Sequence, residues 1–477
     1  MKKYVCLLLS LCLGFGVIGL TGCQKDTRIE LRIISWNMGT AAQNNLNRRM
    51  IAAFEEKYPE YRVTVEEPGS VYTDTIQALA GQQNLPDVIM LDNLPTALVN
   101  RYVMEITDIT AADPEWSGIP EPLREAVQFN GRVFAVPAEM HMWGLYINET
   151  VFENANMEPL DVNPTVEEFR TAVRSLNNPS SGIASYNDEL EMINWYPAAL
   201  DDTIGYYTWD GEKFNLDSDA FAETLSYMRE IRSGGLSFAS WSNELKEATG
   251  YAGVDELWYN NGLAMYYNSS ASRNGLRYGQ DGNEVKFQGK MKFVGLPGGR
   301  NVMVPDMWGI SAGTQHPEMA YELAKWLSFS SEGTLKRLEL DAESIAAGGK
   351  QEFLSLPLTN DETVLDRYFE NEETAGLREV YESLSDGVVE PVKTVPGYSS
   401  CRWLLNTGLS YPYTDTSGAE PVESTRTNAT LEQIYDDIWK SAAAIQWADI
   451  RADVNSRVAQ ALANASRALN ATYPPLS

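Results

Sequence analysis

Apolar and polar side chains alternate through Ile29 to Trp36 (I-E-L-R-I-I-S-W), a period of two that predicts a strand. Over 41–58 the period lengthens, and Leu46, Met50, Ala53 and Phe54 recur at helical spacing. Tyr61 to Val65 reads as the next strand and Thr73 to Ala80 as a second helix. Asp87 to Leu91 (D-V-I-M-L) reads as a third strand, apolar enough to be buried on both faces. Strands alternating with helices of this length predict an open, parallel α/β sheet. Ligands of such sheets sit outside the carboxyl ends of the strands, which is where Trp36-Asn37 and Asp92-Asn93 stand.

Further on, Asn130-Gly131 marks a hairpin turn into Val133 to Val136. Helices are predicted over 165–176, after Pro164, and from Asp219 to Ile231 with Gly234-Gly235 as the stop. Asp210-Gly211 reads as a turn between short strands. Glu256 to Met265 and Met291 to Val294 lead to the loop L-P-G-G-R-N. Met307 to Ala312 then precedes a helix over Pro317 to Phe329. The region 340–430 has weak periodicity and many breakers, and Leu431 to Leu469 holds one or two alanine-rich helices. Trp326, Trp439 and Trp447 fall at core spacing on these helices, which assigns them to packing.

One stretch departs from the expectations for a core strand. Val136 to Asn148 (V-P-A-E-M-H-M-W-G-L-Y-I-N) is apolar overall yet carries Glu139, His141 and Trp143 at every second position. Alternation puts these three on one face and Met140, Met142 and Gly144 on the other. An acid, an imidazole and an indole in a row make a poor core wall and a good wet cleft.

The chain opens with Lys2 and Lys3, then an apolar run from Val5 to Leu20 interrupted by Gly14, Gly16 and Gly19. This pattern is that of a signal peptide, too short and glycine-rich for a spanning helix. Its ending, Leu20-Thr21-Gly22-Cys23, resembles the bacterial lipobox, whose cysteine is diacylated. The resemblance implies a signal over 1–22, an anchor linker over 23–28 and a chain held by lipid on Cys23 at the extracytoplasmic face of the cell membrane. Cys6 and Cys12 leave with the signal, so Cys401 alone remains and a disulfide framework is excluded. Without the two signal lysines, 35 basic residues face 66 acidic ones, a formal charge of −31 that argues against nucleic acid as a partner. Two histidines and one cysteine are too few for a Cys/His zinc cluster, and no zinc-protease, nucleophile-elbow or phosphate-loop motif is present. Asp281 to Glu284 (D-G-N-E) lacks calcium-loop spacing and reads as a turn. No metal or cofactor is expected. Paired carboxylates remain open, because a glycosidase pair has no required spacing.

Several segments, in order, resemble the extracellular solute-binding proteins of ABC transporters, in the sugar-binding family that includes maltose-binding protein. They are the strand ending in S-W-N, then F-E-E-K-Y-P-E-Y-R-V-T-V, L-P-D-V-I-M-L-D at Leu85 to Asp92 and F-N-G-R-V-F-A-V-P at Phe129 to Pro137. L-Y-I-N-E-T-V-F follows at Leu145 to Phe152, T-V-E-E-F at Thr165 to Phe169 and N-N-G-L-A-M-Y-Y-N at Asn260 to Asn268. The last are V-G-L-P-G-G at Val294 to Gly299 and W-G-I-S-A-G-T-Q-H-P-E-M-A at Trp308 to Ala320. The resemblance covers most of the mature chain. It implies a two-lobed α/β fold of the periplasmic-binding-protein type, with lobe one over 29–140 and 307–360 and lobe two over 141–306 and 361–477. Each lobe is an open α/β sheet, joined to the other by hinge strands through Glu139 to Gly144 and Asp306 to Gly309.

A carbohydrate, most simply an oligosaccharide, is the implied ligand, delivered to the permease subunits of an ABC transporter by a monomeric, non-enzymatic binding protein. Aromatic rings cover the faces of a sugar while polar side chains bond its hydroxyls. The residues of those types at the matching positions are Trp36, Asp92, Glu139, His141, Trp143, Asp306 and Trp308. Trp195 with Tyr196 are expected as a stacking platform in the second lobe, and Arg402 with Trp403 as a late addition to the site. Trp308 is the position at which truncation is expected to weaken binding while sparing the fold. One departure stands out: where the maltose-binding relatives carry a further stacking aromatic, this chain reads Ser269-Ser270-Ala271-Ser272, which points to a ligand other than a maltodextrin. A non-sugar polar solute on the same fold, and a surface-anchored glycoside hydrolase using a pair such as Glu139 and Asp306, are the competing readings.

Overall fold

The structure is a computed structural model and describes residues 26–91, 93–251, 253–279, 284–370, 372–384, 387–396 and 447–475. The chain starts as its periodicity predicts, with β1 (Ile29–Ile34), the helix Leu46–Lys57, β2 (Tyr61–Glu66), the helix Tyr72–Gly81 and β3 (Val88–Leu91). β1 pairs in parallel with β2 on one side and β3 on the other. All four residues of β3 are buried, as its unbroken apolar run requires of a strand covered on both faces. The predicted hairpin is present: β4 (Gln128–Phe129) and β5 (Arg132–Val133) flank Asn130 and Gly131, whose φ angles of 51° and 71° are the left-handed pair that an Asn-Gly turn supplies.

β6 (Val136–Asn148) is 13 residues long, and the rest of the chain is arranged around it. β7 (Ala184–Tyr186), β8 (Leu263–Ser269), β9 (Met291–Val294), β10 (Val302–Ile310) and β11 (Val388–Val389) complete the strands. Among the described residues, nine strands form one sheet in the order β2-β1-β3-β10-β6-β8-β7, with β9 also on β6 and β11 on β10. The first part of β6 pairs antiparallel with β10, from Val136↔Trp308 to Trp143↔Val302. Its last part pairs with β8 and β9. β10 likewise pairs with β3 at one end, Met307↔Leu91 to Ile310↔Val88. Both long strands therefore pass from one half of the molecule to the other, and the fold is the two-lobed mixed α/β arrangement that the motif order implied.

Two apolar clusters pack against this sheet, the first running along both halves and the second confined to the far one. One gathers Leu31, Ile33, Phe54, Val88 to Leu91, Phe134 and Leu323, extends over Met140 and Met142 on one face of the crossing and continues to Trp258, Leu263, Tyr266 and Phe293 beyond it. The other gathers Leu145, Ile147, Phe169, Trp195, Tyr196, Phe221 and Tyr267. The helix Val166–Leu176 that lies on the second cluster begins in a full capping box: Thr165 Oγ1 accepts from the Glu168 amide while the Glu168 carboxylate accepts from the Thr165 amide. Trp326 is buried as its spacing predicts, and its Nε1 donates to the Met50 carbonyl at 2.9 Å. The weakly periodic region holds more order than the sequence pattern indicates, with helices at Ser331–Ala346, Glu362–Glu370 and Leu377–Glu382. Among the described residues of the tail there is one helix, Trp447–Thr472.

Gly144 marks where β6 enters the second half. A Cβ there would lie 2.4 Å from Phe293 Cζ and 2.6 Å from the Val294 carbonyl oxygen on β9, so the close approach of the two strands requires the missing side chain. Gly144→Ala is expected to lower the unfolding free energy by about 1–3 kcal/mol, the usual cost of overpacking. Urea unfolding of the two proteins checks this, and equal midpoints would mean that β9 is free to move aside.

Candidate functional site

Side chains on one face of β6 follow the predicted alternation: Glu139, His141 and Trp143 are half-buried, while Met140, Met142 and Gly144 are buried. Across the ladder, Asp306 stands directly opposite Glu139 and Val304 opposite His141. The register shifts between Asp306 and Met307, a bulge at the position where the two acids face each other. Directly opposed residues have Cβ atoms about 4.5–5.5 Å apart, and like charges at that spacing repel.

Neighbouring groups settle that repulsion differently for each acid. Asn37, just beyond the carboxyl end of β1, donates its amide to Glu139 Oε1 at 2.5 Å. His141 Nε2 lies 3.9 Å from Glu139 Oε2. Burial alone would push the Glu139 carboxyl up. The nearby His141, the charge of Arg337 and the Asn37 amide outweigh it and hold Glu139 below its ordinary value. Asp306 goes the other way. Burial raises it, the Glu139 charge adds to the rise, and the ion pair with Lys393 Nζ at 2.8 Å only partly compensates. Asn37 is itself anchored, its carbonyl accepting from Asn45 Nδ2 at 3.0 Å and Asn47 Nδ2 at 3.2 Å.

Aromatic rings flank this polar floor. Trp36 is 39% exposed at the end of β1 and packs edge-on against Tyr72, 5.0 Å between centroids. Trp143 stacks on Tyr267 at 5.2 Å and an interplanar angle of 11°. Tyr267 and Tyr206 join through their hydroxyls, and Tyr207 donates to Glu390 Oε1 at 3.0 Å. Glu390 is fixed by its amide on the Met303 carbonyl and leads through Pro391 to Lys393, so the aromatic wall and the lysine that neutralises Asp306 belong to one bonded unit. Sequence reasoning did not single out Lys393, Glu390, Tyr206 or Tyr207. They lie in stretches without periodicity, and no local signal marks them.

The other predicted residues are placed as follows. Trp308 shares the Asp306 side by alternation but is only 3% exposed, within the first cluster. Its truncation would therefore open a core cavity, at a cost of about 3–5 kcal/mol, rather than spare the fold. Trp195 and Tyr196 are buried in the second cluster at 2% and 0% exposure, packed around Phe169, and form no open platform in this conformation. Trp195 stacks at 6.5 Å behind Tyr267. Asp92, Arg402, Trp403 and Cys23 lie outside the described residues, as do Trp439 and the side chain of Trp447. Glu139, His141, Trp143, Asp306 and Trp36 are thus the predicted residues that the fold brings together with partial exposure.

Two cavities, of about 550 and 380 Å³, open on the opposite face of the crossing. Asn268 and Tyr266, which line the larger, are in register with Gly144 and Tyr146 and so point away from Trp143. The helix Arg273–Tyr278, Lys350 and Gln351 line both cavities. The half-buried acids and stacked rings of the Glu139 face are the better-built site. Among the described residues no group of three or more His, Cys, Asp or Glu is placed to hold a metal ion.

Behind Tyr267, Asn187 Oδ1 accepts from its amide at 2.9 Å, and the next residue, Asp188, is pushed up to about 7 by burial and by the neighbouring Glu189 and Glu191 charges. A carboxyl raised in the folded state holds its proton where the unfolded chain has lost it. Stability therefore falls as pH rises from about 4 to about 7. Asp188→Asn keeps an acceptor for the Leu190 amide and is expected to raise the melting temperature at pH 7.5 while leaving it unchanged near pH 4. A pH-independent difference in thermal unfolding would mean that Asp188 is not the group responsible.

A family model described as bacterial extracellular solute-binding protein matches residues 41–332. The melibiose/raffinose/stachyose-binding protein MelE of Bacillus subtilis is 24% identical over 189 residues, an alignment that covers 38% of this chain and 42% of that relative. Among solved structures, the sugar-binding protein MalE from Xanthomonas citri superposes with a TM-score of 0.66 at 13% identity, covering 92% of this chain and 98% of that one. An ABC substrate-binding protein from Listeria monocytogenes in complex with cycloalternan gives 0.59 at 17% identity, covering 87% and 99%.

Proposed function

Because the chain belongs to the bacterial extracellular solute-binding proteins, we propose that it captures an oligosaccharide on the Glu139 face of the β6–β10 crossing and delivers it to an ABC transporter permease. The observation that carries this reading is the combination on one strand face of a half-buried polar pair, Glu139 and His141, with Trp143. A sugar presents C–H faces to Trp143 and Trp36 and hydroxyls to Glu139, His141, Asp306 and Lys393. The relative MelE is named for melibiose, raffinose and stachyose, and the Listeria neighbour holds cycloalternan, so galactosides and α-glucan oligosaccharides head the panel to be tried. Lipid on Cys23 would keep the protein beside its permease; two acyl chains are needed for a stable anchor.

The two sides of the crossing supply the two walls that hold the ligand. β1 and β3 bring Trp36, Asn37 and the start of the helix Leu94–Val99 to one side of the crossing, and Trp143 with Tyr267 stand on the other. Hinge closure about β6 and β10 brings both sets onto one ligand, so the closed form gains contacts that the open form lacks.

One observation favours a second reading, a surface glycoside hydrolase. Glu139 and Asp306 face each other with their acidities displaced in opposite directions, as in acid and base pairs. Both are already engaged, Asp306 by Lys393 and Glu139 by Asn37, which is the arrangement of a binding site.

Calorimetric titration against the panel tests both. A bound glycan recovered intact supports the binding protein, and smaller sugars after incubation would establish the hydrolase. Trp143→Ala is expected to weaken binding of that glycan at least tenfold, because one stacked aromatic contact is worth about 1 kcal/mol beyond its buried area. Unchanged affinity would move the ligand off this face.

A further inference from the structure

The helix Trp447–Thr472 has 26 residues and is about 39 Å long at 1.5 Å per residue. Its inward positions, Val454, Val458, Leu462 and Leu469, follow helical spacing, and Tyr473 just past its end continues the stripe. The stripe changes core part-way along. Val454 and Val458, each 1% exposed, belong to the second apolar cluster, and Leu462 packs against it. Leu469, also 1% exposed, belongs to the first cluster, and Tyr473 packs against that one.

Polar contacts fasten both ends. At the first foot, Asn455 accepts from the Phe214 amide at 2.8 Å and donates to the Phe214 carbonyl at 3.0 Å, and Arg451 pairs with Asp217. At the second foot, the Tyr473 ring meets Phe134 edge-on at 4.7 Å, and its hydroxyl donates to the Val103 carbonyl at 2.5 Å. Arg132 donates to the Pro474 carbonyl at 2.7 Å, and the helix runs beside Leu94–Val99. The first foot grips a segment under backbone constraint. Tyr207 and Thr208 have left-handed φ angles of 57° and 63°, and a Cβ on Gly205 would collide with the Trp209 carbonyl at 1.7 Å. That segment carries Tyr206 and Tyr207, which stand behind the Trp143–Tyr267 stack.

We propose that the helix Trp447–Thr472 is a strap between the two halves, fixing their separation so that the hinge opens only when one of its feet lets go. The inference rests on the reading that the halves close around a ligand. β6 and β10 cross between the halves as extended strands, which bend through small changes in φ and ψ. A continuous helix does not lengthen, so while both feet hold, the halves keep the spacing at which both sides of the site face each other. Restricting the open population raises the fraction of molecules ready to bind and lowers the apparent Kd by that factor.

The test is a distance distribution between spin labels on cysteines replacing the exposed Glu56 and Glu167, one on each half, in the ligand-free chain from Gln24 onward with Cys401→Ser. The parent is expected to show one narrow distribution. Leu469→Ala with Tyr473→Ala, at one foot, and Asn455→Ala with Val458→Ala, at the other, are each expected to broaden it toward longer distances and to weaken glycan binding several-fold. Tyr473→Phe, which deletes only the bond to Val103, gives a milder broadening and keeps the test alive should the double variants unfold. Distributions that superimpose on the parent in folded variants of both feet would overturn the strap. The distances are read without ligand, so a glycan panel that stays silent would sink the transport reading while leaving the strap supported or refuted on its own result.

Discussion

The pairing of β6 with β10 is the constraint on which the rest of the molecule depends. Seven residues of β10, from Val302 to Trp308, are matched against β6, and both strands continue into other pairings at their outer ends. That continuity makes one sheet of two halves and leaves the middle of the crossing covered on one face by Met140 and Met142 and open on the other at Glu139 and His141. The site is the uncovered face of a ladder whose other face is core. Its two acids are opposed by register, and the bulge between Asp306 and Met307 sits beside them. Lys393, Asn37 and His141 then supply the compensation that a facing acid pair needs.

Much of this was legible from local pattern. Period-two and period-3.6 stretches located β1, β2, the helices beside them and the helix Val166–Leu176, and an unbroken apolar run located β3, which is buried on both faces. Alternation in Val136 to Asn148 placed Glu139, His141 and Trp143 on one face, since strand geometry leaves no other option once the segment is extended. What pattern cannot report is depth. Trp195, Tyr196 and Trp308 have the composition of a sugar platform, yet each is enclosed by its own cluster, and whether an indole meets solvent or core depends on residues far away in sequence. Lys393 and Glu390 were invisible for a related reason: they lie on and at the start of a short helix, Pro391–Thr394, just after a two-residue strand, elements too brief to impose a period. The helix Ser331–Ala346 was missed because its buried stripe, Gly333, Thr334, Arg337, Leu338 and Asp341, is regular in spacing but mostly polar.

The C-terminal helix extends the same logic. A stripe of apolar positions predicts that a helix packs against something and is silent on whether that something is one body or two. Here one foot holds Phe214 and Asp217 and the other Val103, Arg132 and Phe134, so a segment that looks like an ordinary amphipathic tail acts on the spacing of the halves. The account thus joins two devices around one site, a flexible crossing beneath it and a stiff element alongside.

The central claim is that carbohydrate binds on the Glu139 face of the β6–β10 crossing. A crystal structure of the complex with the glycan found by titration tests it most directly. The account predicts a sugar ring in van der Waals contact with Trp143 or Trp36 and hydroxyls within hydrogen-bonding distance of Glu139 or Asp306. A glycan seated instead in the cavities beside Asn274 and Lys350, on the opposite face, would contradict it.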